Sequence, residues 1–286
     1  AQISVDENGK VSLGKRERDT AHRLIEEFMI LANETVAEEL FAKKVPCVYR
    51  VHEKPDSAKL SAFYDFLQGL GISEQRKGEV SGRDFSDLLS RLKDSPSYPV
   101  VNTVMLRTMQ KAKYAPQDIG HFGLASEHYC HFTSPIRRYP DLEVHRVVKT
   151  LLNEGKGGTK RYKARAAEVA AQSSARELKA QEAERAVDDF YKILWLSDKI
   201  GQEFDGVISG VTNFGLFVEL DNTAEGLIRI ETLKGGWYDY DEKNYTLKNK
   251  KKSYKLGQKI RIRVDGVNAM SRKAEFSEAE TGEDDG

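Results

Sequence analysis

Little in this chain suits a small secreted protein or a membrane protein. Cys47 and Cys130 are its two cysteines, with no CxxC pair and no His/Cys group at ligand spacing. That argues against a disulfide framework or structural zinc, and makes a reducing compartment, the cytoplasm, the expectation. No apolar run approaches the roughly 18 residues of a membrane span. The opening residues Ala1 to Asp6 have neither the basic flank nor the apolar stretch of a signal peptide, and no initiator methionine. The chain is therefore expected to be a fragment of something longer. An excess of one charge is also missing, since 45 Lys and Arg balance 45 Asp and Glu. The balance hides local asymmetry: 278–286 is an acidic tail, whereas Lys248–Arg263 carries eight basic residues and no acid.

At 286 residues the chain suits two or three domains. Apolar residues recur at three and four through Leu24, Ile25, Phe28, Met29, Ala32, Val36, Leu40 and Phe41, which predicts a helix over about 18–43. Residues 45–52 are β-branched and aromatic and read as a strand. Helices are expected at about 57–70, 82–92 and 98–112, and a short strand at 120–124. A loop through Thr133, Ser134 and Pro135 leads into a helix ending near Leu152, where Gly155, Gly157 and Gly158 break the pattern. A long helix rich in Ala, Glu and Arg follows over 160–200, its charges read as a solvated face. Beyond Gly201 the texture changes to short alternating strands, which places a domain boundary near 200.

Between Gly201 and Phe276 five short strands are expected to close into a barrel of the OB type. Val207 groups with Val211, and Leu216 with Val218 and Leu220, as core faces. Phe217 falls on the opposite face and Phe214 at the turn before it. Such barrels stack bases on surface aromatics and track phosphates with basic side chains, here Lys259 and Arg261. Either phenylalanine can instead be a plain core residue, and Lys248–Arg263 a solvated loop. Trp237, Tyr238 and Tyr240 form an aromatic patch in a Gly-rich loop, costly to expose unless a base or partner covers it. The order Gly206-x-Ile208, Phe214-Gly215-x-Phe217-Val218, Glu225-Gly226-Leu227 resembles the S1 RNA-binding domain over about 75 residues. Where that family usually has a histidine two residues after Glu-Gly-Leu, Arg229 stands here, still able to stack or to pair with a phosphate.

The most distinctive string runs from His131 through Thr133, Ser134, Pro135, Arg137, Arg138, Tyr139 and Asp141 to Arg146. Thr133 and Ser134 are expected to cap the coming helix, with Pro135 in its first turn. Two guanidinium groups at a helix mouth make a phosphate cradle; alternatively they bridge to carboxylates such as Asp141. The string resembles the signature near the end of the RNB catalytic domain of the RNase II/RNase R family. Ala21–Met29, Val51–Pro55 and Gly120–Leu124 agree with that family in order, and Trp237–Glu242 looks like RNase R. The resemblance implies an α+β chain: a mainly helical C-terminal portion of an RNB domain over 1–200, then a five-stranded S1 OB-fold barrel over 201–277. It implies 3′-to-5′ hydrolysis of single-stranded RNA to nucleoside monophosphates. Arg137 would hold the scissile phosphate, Arg138 and Tyr139 would support that loop or the RNA backbone, and His131 and Glu27 would lie along the strand, Glu27 near the reacting end.

The family's Mg2+ is held by an upstream aspartate cluster, and two-metal hydrolysis needs several carboxylates within reach of ions about 4 Å apart. Asp188-Asp189 and Asp284-Asp285 are isolated pairs, and Asp239 with Asp241 belongs to the barrel loop, so the cluster is missing from this chain. The chain alone is thus expected to bind single-stranded RNA but to hydrolyse it poorly. A monomer with no membrane partner is expected, and further partners in RNA degradation or at the ribosome stay unidentified. Two other classes compete: a non-catalytic RNA-binding adaptor on an RNB scaffold, and a translation-associated S1 protein, which leaves the 131–146 string idle.

Overall fold

A computed structural model describes residues 2–15, 18–74 and 80–279. They form two compact units: 18–64 with 74 and 80–181, and 2–15 with 65–73 and 182–279. None of the described helices is long and apolar enough to cross a membrane.

The chain opens with a hairpin that the alternation does not reveal, β1 (Gln2–Val5) and β2 (Val11–Gly14). Helix α1 spans Thr20–Ala42, capped by the Asp19 carboxylate accepting from His22 N. Only its second half is buried, through Asn33, Ala37 and Leu40; Leu24, Ile25, Phe28 and Leu31 of the first half are exposed. The strand expected over 45–52 shrinks to β3 (Tyr49–Val51). Next come α2 (Ser57–Gly69), α3 (Gly82–Leu92) with a Ser81/Asp84 capping box, and α4 (Tyr98–Thr108). Helix α4 stops short of 112, where Met109 turns to extended backbone ahead of β4 (Lys113–Ala115), which pairs antiparallel with β3. Residues 120–124 are not a strand. His121 makes isolated bridges to His52 and Ser126, and its ring caps a single 3-10 turn at Phe122–Leu124.

Helix α5 (Tyr139–Thr159) runs past Leu152. Gly155, at φ 70°, does break the helical geometry, but a further turn resumes beyond it. Helix α6 (Tyr162–Ser197) is the long helix, and it is not solvated all round. Ala166, Val169 and Ala170 share one face and pack with Val48 and Tyr114. A second cluster joins Ala37 and Leu40 of α1, Cys47, Tyr49 and Val51, Cys130, and Val144 and Val147 of α5.

The barrel consists of β5 (Glu203–Thr212), β6 (Gly215–Leu220), β7 (Glu225–Arg229), then β11 (Lys259–Asn268) and β12 (Lys273–Glu278). It closes in the order β11-β12-β7-β6-β5 through a parallel β12–β7 pair. Leu216, Val218 and Leu220 fill its core as expected. Val207 does not. A bulge between Ile208 and Gly210 shifts the register, so that Ile208 and Val211 both point inward while Val207 turns partly to solvent. Between β7 and β11 the chain inserts a three-stranded sheet of β8 (Asp239–Asp241), β9 (Thr246–Lys248) and β10 (Ser253–Lys255). Of the acidic tail, Glu278 ends β12 and Ala279 is buried; 280–286 lie outside the described residues.

Candidate nucleic-acid interface

The turn before α5 is held by one buried carboxylate. Asp141 accepts from Ser134 N at 2.8 Å and takes the Arg138 guanidinium in a two-point pair, Nε to Oδ2 at 2.9 Å and Nη2 to Oδ1 at 2.7 Å. It is fully buried, and the Arg138 side chain is 20% exposed. The capping expected of Thr133 and Ser134 is therefore not what builds this turn. Arg138 is the N-cap residue, without a side-chain cap, and the proline of the first turn is Pro140, not Pro135. The Ser134 carbonyl instead accepts from the backbone N–H groups of Arg137 and Arg138.

Fixing Arg138 in this way leaves Arg137 outward. It is exposed, and its side chain makes no ion pair among the described residues. Arg137 lines a cleft of about 540 Å3 together with Tyr114, Arg138, Tyr139 and, from α6, Ser173, Arg176 and Glu177. Arg176 is likewise exposed and makes no ion pair among the described residues. Glu177 is committed to Arg50 at 2.6 Å, and the Arg50 guanidinium lies 4.7 Å over the Tyr114 ring. The cleft thus presents two uncommitted guanidinium groups, from the turn and from α6, above a floor whose own charges are paired. A phosphodiester is the anion that two such forks suit.

Tyr139 is half-exposed, and its hydroxyl accepts from both Arg146 (3.1 Å) and Arg165 (2.7 Å). Between those arginines sits the buried Glu143 carboxylate, 3.3 Å from Arg146 and 2.7 Å from Arg165. His131 faces Tyr114, whose hydroxyl lies 2.9 Å from Nδ1. Burial pushes the Tyr114 phenol up to about 12, so it donates. Burial, with Arg138 and Arg50 nearby, pulls His131 down to about 3, so it accepts as a neutral ring. His131 is therefore a support of the cleft wall and not a cationic phosphate contact. Glu27 is exposed on α1 and is not among the residues lining the cleft.

Arg176, Glu177 and Ser173 were hidden in a helix rich in Ala, Glu and Arg. The signal that finds them is the spacing of Ala166, Val169/Ala170, Ser173, Glu177 and Ala180, one continuous face at steps of three and four.

On the barrel, Phe214 is half-exposed and Phe217 partly so, the rings meeting edge-to-face at 5.9 Å. Phe217 stands outward by alternation between the buried Leu216 and Val218, and its ring lies over Gly210 opposite, where a Cβ would come within 3.2 Å of it. The nearby cations are less open than their number suggests. Arg229 is paired with Glu275 at 2.8 Å, and Arg261 with Glu203 (3.1 Å) and Asp205 (3.4 Å). Lys259 is exposed without an ion pair among the described residues. Tyr238 must be removed from the aromatic patch. It is buried against Tyr254, its hydroxyl donating to the Lys234 carbonyl at 2.6 Å, whereas Trp237 is 88% exposed.

Among the described residues no three His, Cys, Asp or Glu side chains converge as a metal ion requires. The donor set of the described residues does not fit a divalent ion.

The profile of the RNB domain matches residues 1–154, and that of the S1 RNA binding domain residues 197–277. Ribonuclease R 1 of Lactococcus lactis is 41% identical over 285 residues, covering 96% of this chain and 34% of its own length. This chain thus spans about a third of that relative. The apo form of Mycoplasma genitalium RNase R superposes with a TM-score of 0.89 at 32% identity, over 97% of this chain and 45% of the other. The same enzyme in complex with ribose-methylated single-stranded RNA gives 0.88 over the same shares. The chain belongs to the RNB domain family and carries an S1 RNA binding domain behind its RNB portion.

Proposed function

We propose that this chain is the strand-gripping portion of an RNase R-type 3′-to-5′ exoribonuclease, which hydrolyses single-stranded RNA to nucleoside monophosphates. The observation that carries the reading is the cleft in which Arg137 and Arg176 stand uncommitted while Arg138 and Arg50 are neutralised beneath them. Charge aimed into a cleft by a paired scaffold is preorganised for an anion and needs no rearrangement when one arrives. Arg137 stabilises the charge that develops on the scissile phosphate. Arg138 acts through the turn, not on the RNA. The likeness to RNase R in complex with single-stranded RNA supports the same ligand here.

The reaction's Mg2+ is supplied with carboxylates that this chain does not hold, so the chain by itself binds RNA and hydrolyses it poorly. It acts as a monomer in a reducing compartment, a reading its two buried free thiols support. The test is made in the natural protein that carries this chain. Arg137→Ala lowers turnover of a labelled oligoadenylate with Mg2+ about 10²–10³-fold with little change in affinity. Equal loss of both would move Arg137 from catalysis to binding. No turnover by the unsubstituted protein would favour the adaptor reading.

A further inference from the structure

The insert between β7 and β11 carries a feature the barrel does not need. Trp237 is 88% exposed at the tip of the loop entering β8, among the most exposed large apolar side chains of the molecule. Leaving that much indole in water is unfavourable, and burying it against a partner is worth more than burying any other single side chain. The loop is nonetheless built. Gly235 (φ 117°) and Gly236 (φ 94°) take a backbone course that side chains resist. Tyr238, the next residue after the indole, is locked by its hydroxyl to the Lys234 carbonyl and by its ring against Tyr254. Leu233, Leu247 and Leu256 are buried as well, so the insert is apolar inside and the tryptophan is not needed for that core.

One side chain ties this loop to the basic turn. Asn249 donates from Nδ2 to the Gly235 carbonyl at 3.0 Å, and its Oδ1 accepts from the backbone N–H of Lys251 (2.8 Å) and Lys252 (2.7 Å). The β9–β10 turn is thereby fastened beside the tryptophan. Its cations are unequal. Lys252 is spent on Glu278 and Lys248 lies 3.9 Å from Asp241, whereas Lys250 and Lys251 are exposed and make no ion pair among the described residues. An exposed aromatic plane on a stiff loop, with two uncommitted ammonium groups on the turn stapled to it, is the pairing that nucleobase stacking with phosphate contact requires.

We infer that Trp237, with Lys250 and Lys251 presented by Asn249, is a base-stacking subsite for single-stranded RNA on the barrel's insert. The subsite rests on the single-stranded-RNA reading above and extends the strand's path beyond Phe214 and Phe217. Discrimination among bases is weak there, because the plane reads only a π-face. Affinity falls with salt, because the accompanying contacts are ionic. A protein partner would use the same indole but would not need the lysines.

The test uses the whole chain with Trp195→Phe, which leaves Trp237 as its single tryptophan. A short fluorophore-labelled oligoadenylate at low ionic strength reports overall binding by anisotropy, and Trp237 emission reports the subsite. The inference requires quenching of that emission over the same concentrations as the anisotropy rise, and its reversal by salt. Trp237→Ala should weaken oligoadenylate binding about 5- to 100-fold; Asn249→Ala, which frees the loop and turn without removing the indole, about 3-fold. Binding by anisotropy with unchanged Trp237 emission sinks the subsite and leaves the RNA reading standing, with a protein partner as the occupant. No anisotropy change sinks both. Quenching that survives Lys250→Ala/Lys251→Ala at unchanged affinity overturns the ionic half and with it the subsite as drawn.

Discussion

The cleft before α5 and the outer face of the barrel both carry arginines and aromatics, yet they spend them in opposite ways. In the cleft the carboxylates Asp141 and Glu177 consume Arg138 and Arg50, and the result is to aim Arg137 and Arg176. On the barrel the carboxylates Glu275, Glu203 and Asp205 consume Arg229 and Arg261, and what is left open is Phe214, with Phe217 beside it, and the ammonium of Lys259. One region offers directed charge, the other offers planes. Counting basic residues cannot tell them apart, because whether a guanidinium is available depends on where the nearest carboxylate stands.

The comparison breaks most visibly at Asp141. Replacing it with alanine leaves a largely buried Arg138 and the Ser134 N–H unpaired, an expected loss of about 3 kcal/mol, seen as a fall in Tm of about 5–10 °C. A Tm within a degree of the parent would show that the turn does not depend on that pair. Acid probes two buried histidines of the same unit. His121 is held at about 4 and His131 at about 3, each mainly by burial, while unfolded histidine titrates near 6.5. The unfolded state therefore takes up protons first, and stability present above pH 6.5 drains away as pH falls toward 4 for His121 and toward 3 for His131. Tm should decline over that window, and His131→Gln should flatten the decline. An unchanged slope would place the ring in water.

The barrel gives smaller numbers. Phe214→Ala should weaken single-stranded RNA binding by about 1–3 kcal/mol with Tm almost unmoved, measured by fluorescence anisotropy; unaltered affinity would remove the stacking role. Arg229→Ala should change affinity much less than Phe214→Ala does, because the residue is engaged at the surface by Glu275. A loss as large as that of Phe214→Ala would mean that the ion pair opens to meet a phosphate.

Much of this was legible in the residues because pattern and packing agree. Leu216, Val218 and Leu220 alternate and are buried; Phe217 lies between them and is not. Legibility failed where one contact overrode a local rule. The bulge at Ser209 exchanged Val207 for Ile208 in the core. The turn of Met109 to extended backbone ended α4 early. Asp141, seven residues from Ser134, did the work assigned to the hydroxyls of Thr133 and Ser134. Tyr238 and Trp237 are adjacent and equally aromatic, and only the hydroxyl contact to Lys234 and the ring contact with Tyr254 decide that one is core and the other surface. The first half of α1 shows the converse: a clean apolar stripe through Leu24, Ile25 and Phe28 that the described residues do not cover.

The most direct test of the contrast between aimed charge and open planes is the salt dependence of single-stranded RNA binding by the chain, measured for the parent, for Arg137→Ala with Arg176→Ala, and for Phe214→Ala. The slope of log affinity against log salt should flatten by about one to two units in the double arginine variant. In Phe214→Ala it should stay unchanged while affinity drops. A slope that is the same in all three proteins would contradict the account.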